Sequence, residues 1–324
     1  MRILLAIFRR AMQALLVVLA VSLMNFTLIR LAPGDPAAVI AGQSGAADEQ
    51  YLKDLRAEFG LDQPMYVQIA AYYSQLFQFD LGYSYRQKQP VLDLVLERLP
   101  NTLLLTMSAF IIALAVGIWS GALAARHRGK WTDFGISSIA MLLYASPIFF
   151  TGLMLILVFS VGLGWLPAFG SQTFGENGGF AASFLDRLQY LVLPATTLSL
   201  LYAATYMKLT RTSVLEVLRL DFVKTARAKG LPQSRIMNAH VLRNALLPII
   251  TVAGMQAGHL VGGAVVVETV FAWPGIGRLA FDALLQRDYP VLMGVFLITS
   301  VLVVFFNILT DIGYRLFDPR VEIS

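Results

Sequence analysis

Apolar runs of bilayer length recur along this chain, and they leave it few folds to choose from. A stretch of about 20 apolar residues crosses the hydrocarbon core as a helix, because each backbone N–H and C=O must there be satisfied within the segment. Six runs are read here, at about residues 11–31, 101–125, 135–163, 189–206, 248–271 and 290–314. The expected fold class is an all-α integral membrane protein with six transmembrane helices. A composition of 57% hydrophobic and 14% charged residues, with positive mean hydropathy, excludes a soluble domain.

Prolines and charges set the boundaries. Ala32-Pro33-Gly34-Asp35-Pro36 stops the first run. Residues 35–100 then carry nine acidic and five basic side chains, and helical spacing over 48–59 and 65–79 predicts a small folded extracytoplasmic cap. Pro147 predicts a kink near the middle of the third span. Pro194 falls in the first turns of the fourth, and Pro248 takes a first-turn position in the fifth. Arg2, Arg9 and Arg10 precede the first run, whose length suits a retained span rather than a cleaved signal. With both termini in the cytoplasm, sixteen Lys or Arg lie inside and eight outside, with Arg30 at a boundary. That asymmetry follows the positive-inside rule.

The chemistry available to the chain is narrow. With 0 cysteines, disulfides, thiol catalysis and thiolate metal sites are excluded. His127, His240 and His259 are widely separated, and Gly129-Lys130 is followed by Trp131 rather than by the hydroxyl residue of a phosphate-binding loop. No catalytic residue, metal site or cofactor is assigned to this chain. A nucleic-acid partner is excluded because no separate basic domain exists; the bilayer is the expected surrounding.

Three features stand out. The segment at about 211–247, preceded by Lys208, holds Arg211, Arg219, Lys224, Arg227, Lys229, Arg235 and Arg243 against only Glu216 and Asp221. Ser213 and Glu216 match a capping box, Asp221 suits the cap of a second short helix, Gly230 suits its stop and Pro232 a restart. Phe222, Val223 and Ala226 are expected on one face of that helix, which either lies on the lipid surface or meets another protein. Second, Gly254, Gly258 and Gly262 recur every four residues, a spacing for close helix packing within the chain or across a subunit interface. Third, Glu268 is a carboxylate inside the outer half of the fifth span. It either faces a substrate path or bonds the loop Trp273-Pro274-Gly275.

At these residues the chain resembles the permease subunits of bacterial ABC importers, in the dipeptide, oligopeptide and nickel group. Asp221-Phe222-Val223-Lys224-Thr225-Ala226-Arg227-Ala228-Lys229-Gly230 is similar to that group's version of the EAA loop, continued by His240-Val241-Leu242-Arg243-Asn244-Ala245-Leu246-Leu247-Pro248. Lys224 stands where the broader pattern has Glu, and Thr225 where it has alanine. Leu31-Ala32-Pro33-Gly34-Asp35-Pro36, Phe59-Gly60-Leu61-Asp62-Gln63-Pro64 and Asp80-Leu81-Gly82 extend the similarity towards the N-terminus. Glu268-Thr269-Val270-Phe271-Ala272-Trp273-Pro274-Gly275-Ile276-Gly277-Arg278 and Arg287-Asp288-Tyr289-Pro290 extend it towards the C-terminus.

The resemblance implies a type I ABC-importer permease fold over a single domain, 1–324, in the bacterial inner membrane. It implies four partners or kinds of partner: a second homologous permease subunit, two ABC ATPase subunits that carry ATP and Mg, and an extracytoplasmic substrate-binding protein. Phe222 to Gly230 becomes the coupling helix docked in an ATPase groove. Short peptides are the implied cargo, with nickel chelates or glutathione as alternatives inside the group. An ion-gradient-driven secondary transporter is the alternative from another class, and it calls for buried ionisable pairs that the sequence lacks.

Overall fold

The structure is a computed structural model that describes residues 12, 15–27, 49–58, 62–173 and 179–317. The turn at 32–36 and the motif residues 59–61 lie outside the described residues. The chain forms two compact units, Met1–Pro100 with Gly275–Val304, and Asn101–Pro274 with Phe305–Ser324.

In the first unit, α1 (Leu15–Thr27) is a short apolar helix. It is followed by α2 (Glu49–Glu58) and α3 (Met65–Phe77). The Tyr73 hydroxyl donates to the Leu19 carbonyl at 2.8 Å, and the Phe26 and Tyr72 rings stand 5.4 Å apart, so α3 lies against α1. A hairpin of β1 (Tyr83–Ser84) and β2 (Gln89–Pro90) pairs Tyr83 with Pro90 and Ser84 with Gln89. Helix periodicity gave no sign of it. The buried Ser84 donates a 2.5 Å hydrogen bond to Asp288, itself buried, which ties the hairpin to the segment between α11 (Ile276–Gln286) and α12 (Tyr289–Phe317).

A 36-residue helix, α4 (Val91–Arg126), follows the hairpin. At 1.5 Å per residue it is about 54 Å long, more than a bilayer core requires. It starts ten residues before the apolar run because Val91, Leu94 and Val95 are buried in the first unit, where a Cβ on Gly294 of α12 would lie 2.4 Å from Val91. Pro100 is carried inside the helix.

The second unit is a helical bundle of α5 (Trp131–Ala145), α6 (Ile148–Leu155, continued by a wide π-type turn at Ile156–Gly162), α7 (Gly179–Val217), α8 (Asp221–Ala228), α9 (Gln233–Arg235) and α10 (Leu242–Val270). A second π-type turn, Ile236–Val241, joins α9 to α10. Around α7 pack α5, α6 and α10. The principal core gathers Leu105, Ala109, Leu198, Val267, Phe271 and Trp273.

Four helices are long and apolar enough to cross a membrane among the described residues: Val91–Arg126, Ala182–Val217, Gln233–Gln256 and Tyr289–Ile308. The pair α5 and α6 makes a fifth if it is one span. Its bend is 110°, a full break where the sequence predicts a kink. The cause is local. A residue before proline is pushed out of the helical region, and Ser146 at ψ 133° and Pro147 at ψ 137° are both extended.

Two other proline positions differ from expectation. Pro194 lies well inside α7, because the helix begins at Gly179, before the apolar run. Pro248 lies inside α10 rather than in a first turn, since the helical path already begins at Gln233.

Candidate functional site

The basic segment folds as a short helix between two turns. Ser213 does not start it: α7 continues through Ser213 to Val217, and Ser213 is buried. Nor does Asp221 cap α8. The cap position is Leu220, extended at ψ 150°, and Asp221 is the first helical residue, its carboxylate accepting from Lys224 Nζ at 2.8 Å. Here an i,i+3 ion pair competes for the carboxylate that would otherwise bond the helix amides. Gly230 behaves as expected of a stop, with φ +74° and its N–H donating to the Arg227 carbonyl at 2.9 Å. The left-handed backbone there favours glycine. Pro232 precedes α9 as expected of a restart.

Only two residues of α8 face inward. Val223 is 0% exposed and Ala226 7%, both in a cluster with Ala125 at the end of α4, Val214 on α7, and Ile236, Met237, Val241 and Ala245 on the approach to and start of α10. Phe222 does not share that face. It is 41% exposed, with Asp221, Lys224, Thr225, Arg227, Ala228, Lys229 and Gly230 also turned outward. The apolar ring is therefore presented, not buried, on a helix whose other side is anchored to three long helices.

At the other end of α4, Glu268 is 0% exposed and accepts a 2.7 Å hydrogen bond from Thr102, also buried. The neighbouring loop is clamped onto the same stretch of α4. Trp273 Nε1 donates to the Asn101 carbonyl at 3.0 Å, Asn101 Nδ2 donates to the Pro274 carbonyl at 2.9 Å, and Arg187 donates to the Asn101 side chain. From Thr102 to Ala125 α4 rises about 35 Å, close to a hydrocarbon thickness of about 30 Å. One helix thus runs from the Glu268 site to the cluster that seats α8.

The glycine stripe on α10 divides. The hydroxyl of Thr310 on α12 donates to the Gly254 carbonyl at 3.0 Å, and a Cβ on Gly254 would lie 2.0 Å from Thr310 Cγ2. Among the described residues, Gly262 meets nothing within 4 Å. The surroundings of Gly258 lie outside the described residues, although α10 passes through it.

Two elements of the site escaped the sequence. Gly117 and Gly121 seat α4 on α7: added Cβ atoms would lie 2.5 Å from Tyr206 Cβ and 2.5 Å from the Met207 carbonyl. The G-x-x-x-G spacing in Gly117-Ile118-Trp119-Ser120-Gly121 carries that signal. Asp133 on α5 and Arg211 on α7 form a forked pair, with Nε to Oδ1 at 2.6 Å and NH2 to Oδ2 at 2.8 Å. Nothing local in the sequence links residues 78 positions apart. Among the described residues no group of three His, Asp or Glu side chains is placed to hold a metal ion.

Residues 113–323 match the family described as binding-protein-dependent transport system inner membrane component, and residues 3–106 match its N-terminal counterpart. A putative peptide transport system permease protein of Brucella suis biovar 1 is 42% identical over 316 residues, 98% of each chain. The oligopeptide transport system permease protein AppB of Bacillus subtilis is 40% identical over 319 residues, again 98% of each. The di/tripeptide transport system permease protein DppB of Pseudomonas aeruginosa is 40% identical over 316 residues, 93% of this chain and 94% of its own. Among solved structures, an inward-facing MetNI methionine ABC transporter chain superposes with TM-score 0.56 at 18% identity, over 70% of this chain and 97% of that one.

Proposed function

Because the chain belongs to the family of binding-protein-dependent transport system inner membrane components, and has the fold of a type I ABC-importer permease, we propose that it is the channel-forming subunit of an ATP-driven importer of short peptides. Its setting is the bacterial inner membrane, which it crosses several times. The full-length similarity to proteins named for oligopeptide and di/tripeptide transport supports the peptide cargo.

The observation that carries the mechanism is the seating of α8. Its inward residues, Val223 and Ala226, bind it to the ends of α4, α7 and α10, while Phe222 and the basic side chains face outward. Residues Asp221 to Gly230 form a coupling helix in this reading. Phe222 enters an apolar groove of an ATPase subunit, and Lys224, Arg227 and Lys229 meet its rim. Closure of two such subunits on ATP and Mg displaces α8 as a rigid piece. The displacement travels along α4 and α7, held together at Gly117 and Gly121, to the end where Glu268 lies. Two discrete arrangements joined by a stiff element are what such coupling requires.

Residues 1–324 act as one permease domain of six spans with both termini cytoplasmic, and residues 35–100 form its extracytoplasmic cap. Glu268 stands beside the substrate path at the outer end, closed to solvent in the present conformation. Gly254 packs within the chain, whereas Gly258 and Gly262 serve the contact with a second, homologous permease. A binding protein delivers the peptide from outside. Co-purification of the tagged chain tests this assembly: two ATPases, a second permease and a peptide-loaded binding protein are expected. Recovery of the chain without any ATPase contradicts it.

A further inference from the structure

The turn between α4 and α5 is built more carefully than a connection requires. Gly129 has φ +75° and its N–H donates to Asp133 Oδ2 at 3.0 Å, while the Lys130 N–H donates to the His127 carbonyl at 2.9 Å. His127 is itself held, its Nδ1 against the Leu123 carbonyl at 3.0 Å. The turn is thus fixed before any ligand arrives, which lowers the entropic cost of binding.

Its charge is unbalanced. Asp133 is the nearby carboxylate, and the forked bond from Arg211 neutralises it. Arg126, Arg128 and Lys130 are all exposed, and none reaches a carboxylate in an ion pair among the described residues. Beside them Trp131 is 86% exposed and Phe134 65%, their rings edge-on at 6.0 Å. A groove of about 860 Å³ runs along Lys130, Trp131, Phe134 and Ser137. Among the described residues, nothing lies within 4 Å of where a Gly129 Cβ would project.

Position selects the occupant. The turn closes a membrane-spanning helix at Arg126, so it stands at the headgroup layer of the bilayer. An indole prefers that layer, apolar body towards the acyl chains and N–H towards water. Basic pockets at the ends of spans attract anionic headgroups. We propose that this turn is a binding site for an anionic phospholipid of the surrounding membrane. The phosphate sits over Arg128 and Lys130, and the first acyl carbons lie along Trp131 and Phe134.

The test uses the assembled transporter in phosphatidylcholine nanodiscs with and without phosphatidylglycerol, with retained lipid counted by native mass spectrometry. Phosphatidylglycerol is expected to be retained in preference to phosphatidylcholine. Arg128→Gln with Lys130→Gln weakens that retention about 30-fold, the combined effect of two basic residues at a membrane surface. The pair is exposed, so thermal unfolding stays at its original temperature; Trp131→Ala gives a second, independent loss of retention. Four results overturn the proposal. These are undiminished retention in the double variant, equal retention of phosphatidylcholine, displacement by soluble glycerol phosphate, and cross-linking of Lys130 to another polypeptide of the assembly.

Discussion

Thr102 Oγ1 donates a 2.7 Å hydrogen bond to Glu268 Oε1, joining α4 to α10 across 166 positions of sequence at a point closed to solvent. Glu268→Gln keeps an acceptor for Thr102, so the protein is expected to fold and insert. Thr102→Val removes the donor and should lower stability by about 1–3 kcal/mol, the cost of withdrawing a buried hydrogen-bond partner. If Glu268 stands beside the path, peptide uptake falls in Glu268→Gln at unchanged unfolding temperature. Unchanged uptake removes it from the path.

Phe222 and Val223 are neighbours with opposite fates, and their variants should separate docking from folding. Phe222→Asp leaves the chain's own core untouched but places a carboxylate in the ATPase groove, at a cost of about 3 kcal/mol or more. Loss of substrate-stimulated ATPase activity with normal membrane insertion is expected. Val223→Ala empties a fully buried position and should cost about 1–2 kcal/mol in thermal unfolding, at the small end of large-to-small core changes. The reverse pattern contradicts the orientation of α8.

The glycines should behave unequally. Gly117→Val pushes a side chain into Tyr206 Cβ and the Ala203 carbonyl, and overpacking of that kind costs about 1–3 kcal/mol. Gly262→Ala meets nothing within 4 Å among the described residues and gains roughly 1 kcal/mol of helix propensity. Gly262→Leu should likewise not lower the isolated chain's unfolding temperature but reduce recovery of the second permease in co-purification. Normal recovery removes Gly262 from the subunit contact.

Local signals were legible where a single residue decides the backbone. Gly230 and Pro232 bracket the end of α8 and the start of α9, and the spacing over 48–59 and 65–79 marks helices that run Glu49–Glu58 and Met65–Phe77. Apolarity misled at Phe222, because burial of a short helix depends on which neighbours it meets. The hydropathy of α4 and α7 understated their length, since the turns that carry Asp93 and Glu97 in α4, and Asp186 and Arg187 in α7, are helical too. Pairings such as Thr102 with Glu268 and Asp133 with Arg211 leave no mark on local periodicity. They depend on how distant helices meet.

The Asp133–Arg211 fork fixes α5 to α7, and geometry matters there as much as charge. Arg211→Lys retains the charge but loses the two-pronged contact. A loss of about 1–2 kcal/mol is expected, within the range for hydrogen bonds to charged groups. Asp133→Asn additionally releases the Arg211 charge and should cost more. Thermal unfolding of the two variants in detergent gives the order, and equal effects would assign the whole contribution to the forked geometry, with none left to charge.

The central claim is that this chain moves peptide only when a nucleotide-driven neighbour displaces α8. Peptide accumulation in proteoliposomes measures it directly. The complete assembly with ATP and a loaded binding protein should accumulate peptide, and the same assembly carrying Phe222→Asp should not. Accumulation by the chain alone under an ion gradient, without ATPase subunits, would contradict the account.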